Sequence, residues 1–308
     1  MSAPVSVPPD HASGPVLELS AARSSIVGND LTVKRALPGK PRRMVGAWCF
    51  LDHAGPMDYP PDHGLTVGPH PHIGLQTFTW MIEGEVMHHD SLSNRQMIRP
   101  GQVNLMTAGR GISHAEVSPG GESGRIHAAQ LWIALPDEER DREPAFQHCP
   151  DMPRIEQDGF DITVLVGSAF GQTAAPKVYT PLIGFDLESK NAARTMLALD
   201  PSFEHAVMPL EGSAIVSGQE VHDGELLYLG TGRGEIDIET TAAGRLLLIG
   251  GTPFGKDVLL WWNFVGRTLE DMTTATDDWN AGRRFGKVEG SGLPPLKAPD
   301  VSGLHLRA

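Results

Sequence analysis

The sequence predicts an all-β protein built from two related β-barrel domains and closed by one short C-terminal helix. Three observations point there. Glycine (35) and proline (25) are frequent and scattered, punctuation that suits many short strands joined by tight turns better than long helices. The chain has 308 residues, of which 40% are hydrophobic, enough for two packed domains of ordinary size. It also repeats itself. The run P-G-Q-V-N-L-M-T-A-G-R-G-I-S-H-A-E (residues 100–116) aligns with D-G-E-L-L-Y-L-G-T-G-R-G-E-I-D-I-E (residues 223–239), sharing G-R-G, one apolar strand and the closing glutamate at a constant offset. A second echo sets I-E-G-E-V (82–86) against L-E-G-S-A (210–214).

Taken in order, residues 1–16 are rich in proline and serine and read as a mobile tail. A first domain is expected over 17–136. Its strands fall at 45–52, at 75–83 (with Phe78 and Trp80), at 86–90 and 96–98 on either side of the polar turn S-L-S-N, at 103–107 and at 128–135. Residues 137–154 read as a linker, because 137–150 is charged and carries two prolines. The second domain, 155–308, holds another strand-rich region to about residue 250. A helical signal follows at 268–280, with Glu270, Asp271, Met272 and Trp279 near its face boundaries, and then an extended tail from about residue 283.

A formal net charge of −13 repels phosphate backbones, so no direct nucleic-acid binding is expected. The basic cluster Lys34, Arg35, Lys40, Arg42 and Arg43 reads as an exposed hairpin or loop. Cys49 and Cys149 are the only cysteines and look like buried small hydrophobes in a reducing compartment. The first residues lack a basic start followed by an apolar run, and no apolar stretch has the length of a membrane span. A cytoplasmic protein with no membrane association is the expectation.

The chemistry concentrates in two short motifs. His70 and His72 stand two apart in P-H-P-H-I-G, and His114 and Glu116 stand two apart in I-S-H-A-E. On a β-strand, residues i and i+2 point to the same side, so two such pairs on facing strands aim three imidazoles and a carboxylate into one space. That donor set suits a divalent transition metal with open positions: Fe(II), Mn(II), Ni(II), Co(II), Cu(II) or Zn(II). Glu116 is expected to serve as both ligand and general base. His88 and His89 follow the Glu-Gly turn, where solvent is expected, and are kept outside the ligand set with His127. His53 and His63 lie in D-H-A-G-P-M-D-Y-P-P-D-H, a segment that could rim the site. The second half keeps the scaffold without the imidazoles: His114 falls opposite Asp237, and His70 and His72 opposite Ala198 and Asp200. Phe50, Phe78, Trp80, Met106 and Trp132 are the candidate walls of a substrate pocket.

The chain resembles the pirin family of the cupin superfamily. The resemblance rests on W-C-F-L-D-H-A-G-P-M (48–57), H-P-H-I-G-L-Q-T-F-T-W-M-I-E-G-E (70–85), D-S-L-S-N (90–94), the 100–116 run, Q-L-W-I-A-L-P (130–136), G-G-T-P-F-G (250–255) and W-W-N-F-V-G-R (261–267). It spans about residues 23 to 279. It implies two cupin-type, jelly-roll β-barrels with iron or another divalent metal in the N-terminal one, and it maps the family's ligands onto His70, His72, His114 and Glu116. It also implies one of two roles. The first is a quercetin 2,3-dioxygenase acting on a flavonoid or catechol-like substrate with O2. The second is a metal-binding regulator that binds protein partners. Where the family has arginine, glycine, an aromatic and glutamate after H-P-H, this chain has Ile73, Gly74, Leu75 and Gln76. Gln76 is expected on the pocket wall, where an amide can share a hydrogen bond near the metal but cannot be a basic ligand.

Overall fold

The computed structural model describes residues 14–28 and 31–301. Most of the expected tail, through residue 13, lies outside the described residues. The regular structure of the described chain is almost entirely antiparallel β-sheet, with one α-helix, Leu269–Asn280. Each half is a flattened barrel of one seven-stranded and one four-stranded sheet. In the first, the large sheet runs, in spatial order, Ala145–Cys149, Val103–Thr107, Leu75–Glu83, Gly124–Ala134, Trp48–Tyr59, Leu31–Leu37 and Arg23–Val27. The small sheet is Thr66–His72, Ile112–Val117, Val86–Asp90 and Arg95–Ile98. The second barrel repeats this plan, with Glu204–Glu211 and Gly244–Gly251 central in its large sheet and Ala193–Ala198 beside Glu235–Thr240 in its small one.

The two large sheets bury their outer faces against each other. One hydrophobic cluster runs through both, joining Leu51, Phe78, Trp80 and Leu131 of the first half to Ala206, Met208 and Leu247 of the second. Polar groups fix the alignment: the Trp48 indole donates to the Gly250 carbonyl at 3.1 Å, and the Gly46 amide donates to Glu204 Oε2 at 2.7 Å. A sheet buried on both faces loses polar alternation, which is why Leu75–Glu83 is buried at eight of its nine positions.

Three segments lie elsewhere than the sequence division expects. Pro15–Ala21 is a strand, and it pairs with Glu225–Gly230 of the second barrel, not with the first. The 137–154 linker contains a strand, Ala145–Cys149, which pairs with Val103–Thr107. The two additions are equivalent: each covers the same outer strand of its barrel, which would otherwise present unpaired backbone groups to solvent. The tail after the helix folds back on the first barrel. Leu296 donates its amide to the Pro69 carbonyl at 2.8 Å, and Ser113 Oγ donates to the Phe285 and Gly286 carbonyls at 3.2 Å. Pro69 and Ser113 each precede a histidine of the metal motif, so the tail braces those strands from outside.

The basic cluster lies on a hairpin strand and the loop that follows it, as expected, but one member is not exposed. Lys34 and Arg35 lie in Leu31–Leu37, and Arg42 is buried, bidentate to Glu18 and stacked over Tyr228 with its guanidinium carbon 3.9 Å from the ring centre. Both cysteines are buried and free, and burial pushes their thiols up to about 12 for Cys49 and about 11 for Cys149. They are inert packing residues. No helix among the described residues is long and apolar enough to cross a membrane.

Candidate metal centre

Thr66–His72 and Ile112–Val117 are neighbours in the small sheet, with His70 opposite His114 and His72 opposite Ile112. Between His114 and Glu116 the register shifts, Glu116 standing opposite Val67, so the Thr66–His72 strand carries a bulge. The pairing places the rings of His70, His72 and His114 with centroids 4.3–5.0 Å apart. One nitrogen from each lies within 4.8 Å of the other two. All three rings are buried.

Hydrogen bonds orient two of them. His70 Nδ1 donates to the Gly68 carbonyl at 2.9 Å and His72 Nδ1 to the Asn263 carbonyl at 2.9 Å. Each Nε2 is thereby left with a lone pair, the arrangement that ligating histidines adopt. Burial pulls the His70 pKa down to about 4, and it pulls those of His72 and His114 well below the ordinary value, helped by the neighbouring imidazoles. The rings are therefore neutral. His72 Nε2 and His114 Nε2 approach to 3.0 Å, and His114 Nδ1 is buried without a hydrogen-bond partner. Three neutral imidazoles converging on one point, with the His114 proton free to sit on its outward Nδ1, fit a divalent cation.

Glu116 lines the same cavity, but its carboxylate lies outside the 4.8 Å group formed by the histidine nitrogens. Burial holds its carboxyl above the usual carboxylate range, against the pull of His88. His88 and His89 are buried, contrary to the solvent expected after the Glu-Gly turn, because the strand Val86–Asp90 lies inside the small sheet. His88 stands opposite Glu116, hydrogen-bonds Asp90 at 3.1 Å and stacks on Phe146 at 4.4 Å. His53 does not rim the site. It is buried at the junction of the barrels, where its Nε2 meets His127 Nε2 at 2.9 Å. His63 is exposed and does not line the cavity.

The histidines form the floor of a cavity of about 480 Å³. Of the expected wall residues, Phe50 and Trp132 line it, stacked on each other at 4.1 Å. Four do not. On the strand Leu75–Glu83 it is Thr77 that faces the cavity, so Gln76, Phe78 and Trp80 point to the other side of the sheet. Phe78 and Trp80 belong to the core between the barrels. The Gln76 amide is tied to Thr107 Oγ1 at 2.9 Å and the Lys177 carbonyl at 3.0 Å. Met106 packs behind Phe50 and Trp132 and does not reach the cavity.

Nothing in the sequence ties two further contributions to the cavity. Arg35 and Asp52 pair at the rim, Nε to Oδ1 at 2.7 Å and Nη2 to Oδ2 at 2.6 Å, with the guanidinium 4.5 Å from the Phe50 ring centre. Burial raises the Asp52 pKa, and Arg35 opposes the rise. The hairpin Leu259–Trp261 and Phe264–Gly266, far away in sequence, brings Leu260, Trp261, Trp262 and Asn263 to the mouth. Gly74 makes this closure possible. Its φ is +66°, and a Cβ there would lie 2.2 Å from the Val265 carbonyl oxygen.

Comparison with known proteins agrees with this geometry. Residues 30–133 match the pirin family model, and residues 184–286 match the model of the pirin C-terminal cupin domain. A Pseudomonas aeruginosa protein named "Putative quercetin 2,3-dioxygenase PA1205" is 50% identical over 287 residues, covering 93% of this chain and 91% of that protein. A pirin-like protein of Caulobacter vibrioides is 35% identical, covering 85% of this chain and 92% of its own length. The crystal structure titled quercetin 2,3-dioxygenase from Acinetobacter baumannii superposes with a TM-score of 0.91 at 50% identity, covering 94% of this chain and 96% of that one. With both halves matched in order, the chain belongs to the pirin family of two-domain cupins.

Proposed function

We propose that the protein is a metal-dependent dioxygenase of the quercetin 2,3-dioxygenase type, acting with O2 on a flavonoid or a catechol-like molecule in the cavity of the first barrel. The observation that carries this reading is the convergence of three neutral, buried imidazoles on the floor of an aromatic-walled cavity. The names borne by two relatives at 50% identity support it. His70, His72 and His114 are the proposed ligands, with Glu116 the fourth, and Fe(II) is the foremost candidate among the divalent transition metals. When bound there, such a metal lowers the pKa of a substrate hydroxyl and gives substrate and O2 a common centre. The protein supplies the rest. The Gly68 and Asn263 carbonyls hold two ligand rings in place, and the Phe50–Trp132 pair offers a flat face to a planar substrate. The Trp261–Trp262 hairpin walls the mouth, so that a substrate seated against it would displace water and strengthen electrostatics within. A Glu116 carboxylate oxygen takes the substrate hydroxyl proton, a role suited to a carboxyl whose pKa burial has raised. Two free, buried thiols are consistent with a reducing, cytoplasmic location.

The test is loss of the visible band of quercetin in air with Fe(II)-loaded protein. The expected result is turnover that Glu116→Ala slows about 10²-fold or more. Loss of the band no faster than in Glu116→Ala protein that still holds its metal would remove the enzyme reading and leave a metal-binding regulator.

A further inference from the structure

We propose that the second barrel is itself a binding site, for a small, neutral aromatic molecule that carries a hydroxyl group, a phenol in chemical class. The proposal does not depend on the metal cavity. The second barrel holds a cavity of about 380 Å³, a size that accommodates a single-ring ligand. It is the positional counterpart of the metal cavity. Ala198 and Asp200, which the internal repeat sets opposite His70 and His72, both line it, and so does His205, set opposite Thr77. Its walls are otherwise mainly apolar, with Leu182, Ile183, Phe185, Leu199 and Phe203.

Two polar groups inside are left under-bonded. His205 is wholly buried (0% exposed), and neither of its ring nitrogens makes a well-formed hydrogen bond, the Phe203 backbone being a weak neighbour; Thr180 Oγ1 is also buried and unpartnered. Buried polar atoms are nearly always hydrogen-bonded and an orphaned one is costly, so a pair aimed into one cavity marks a place where a ligand completes the bonding. The backbone makes room for the ring. His205 stands opposite Gly250, where a Cβ would come within 2.6 Å of the imidazole.

The ligand's chemistry follows from these groups. Burial pulls the His205 pKa down to about 4, outweighing the Asp200 charge and the nearby Phe203 backbone. A neutral imidazole presents one donor and one acceptor, which suits a hydroxyl. Asp200, anchored by the Ser202 amide at 2.8 Å and hydroxyl at 2.6 Å, puts negative charge at the mouth and disfavours carboxylates. The ligand's hydroxyl donates to His205 and accepts from Thr180, and its ring fills the apolar space.

The experiment is a 19F NMR titration of the full-length protein with 4-fluorophenol, with fluorobenzene and 4-fluorobenzoate as comparisons. 4-Fluorophenol is expected to bind at least about ten-fold more tightly than either. Binding should persist in His114→Ala and weaken at least about ten-fold in His205→Leu. Ala169→Trp, which fills the cavity without touching the histidine, should abolish it and decides the matter if His205→Leu does not fold. Equal binding of fluorobenzene, or tighter binding of the benzoate, would overturn the proposed chemistry. No binding to the unaltered protein, or binding lost in His114→Ala and unchanged in both second-barrel variants, would overturn the site.

Discussion

His114 is the hinge of the histidine floor: its Nε2 lies 3.0 Å from that of His72, and its ring centre lies 4.3 Å from that of His70. A cation shared by the three rings loses its central donor if this residue goes. His114→Ala is therefore expected to lower the bound metal, measured by elemental analysis of protein isolated without an affinity column, by more than about ten-fold while the circular dichroism of the β-barrels stays unchanged. Full metal retention would mean that the ligand set is misassigned. The convergence was legible because a strand's two-residue period ties spacing directly to facing. The pocket wall was less legible. Phe78 and Trp80 suggest a wall only by being aromatic and near the motif. With both faces of Leu75–Glu83 buried, nothing in its sequence says that Thr77 alone faces the cavity.

At the scale of elements, the cavity mouth depends on a hairpin held by a glycine. In Gly74→Ala the new Cβ meets the Val265 carbonyl at 2.2 Å, and the residue must also keep a φ of +66°. The hairpin Leu259–Trp261 and Phe264–Gly266 is expected to shift outward, at a cost of at least about 2 kcal/mol in urea unfolding. Trp261 and Trp262 fluorescence should move to longer wavelength as water enters. An unchanged emission maximum would count against the glycine as the seat of closure. The helix was legible from T-L-E-D: Thr268 caps it by accepting from the Asp271 amide, and the Asp271 carboxylate accepts in return from the Thr268 amide. The strand Ala145–Cys149 was hidden because charge in the preceding residues dominates its neighbourhood, and a short edge strand carries little pattern of its own.

At the scale of the molecule, the two barrels meet around a histidine pair. His53 Nε2 and His127 Nε2 lie 2.9 Å apart. His53 faces Asp223 of the second half at 3.7 Å with Lys34 nearby, and His127 faces Glu211 at 3.2 Å within the fields of Arg245 and Arg125. Burial lowers their pKa values to about 4 and about 3, so the folded protein resists protonation that the unfolded chain accepts near 6.5. Because the unfolded state then binds more protons, stability from this pair is complete above about pH 6.5 and is lost as pH falls toward 4 and then 3. Between about pH 7.5 and 4.5 the urea midpoint should fall further in the native protein than in His53→Gln/His127→Gln, whose profile lacks this component. Parallel profiles would contradict the assignment. The doubled architecture was legible in the repeated G-R-G runs. The inter-barrel packing was not, since it joins residues more than a hundred positions apart and leaves no periodic trace.

The strand Pro15–Ala21 has a consequence for how the chain can be divided. Because it is stitched to Glu225–Gly230, a fragment beginning after it would leave that strand with an open rim of amides and carbonyls. Such a fragment would recruit another copy of itself in place of its missing neighbour. During synthesis the same rim stays bare until its mate, made first, is recaptured last, so the halves mature as one object rather than as two beads on a string.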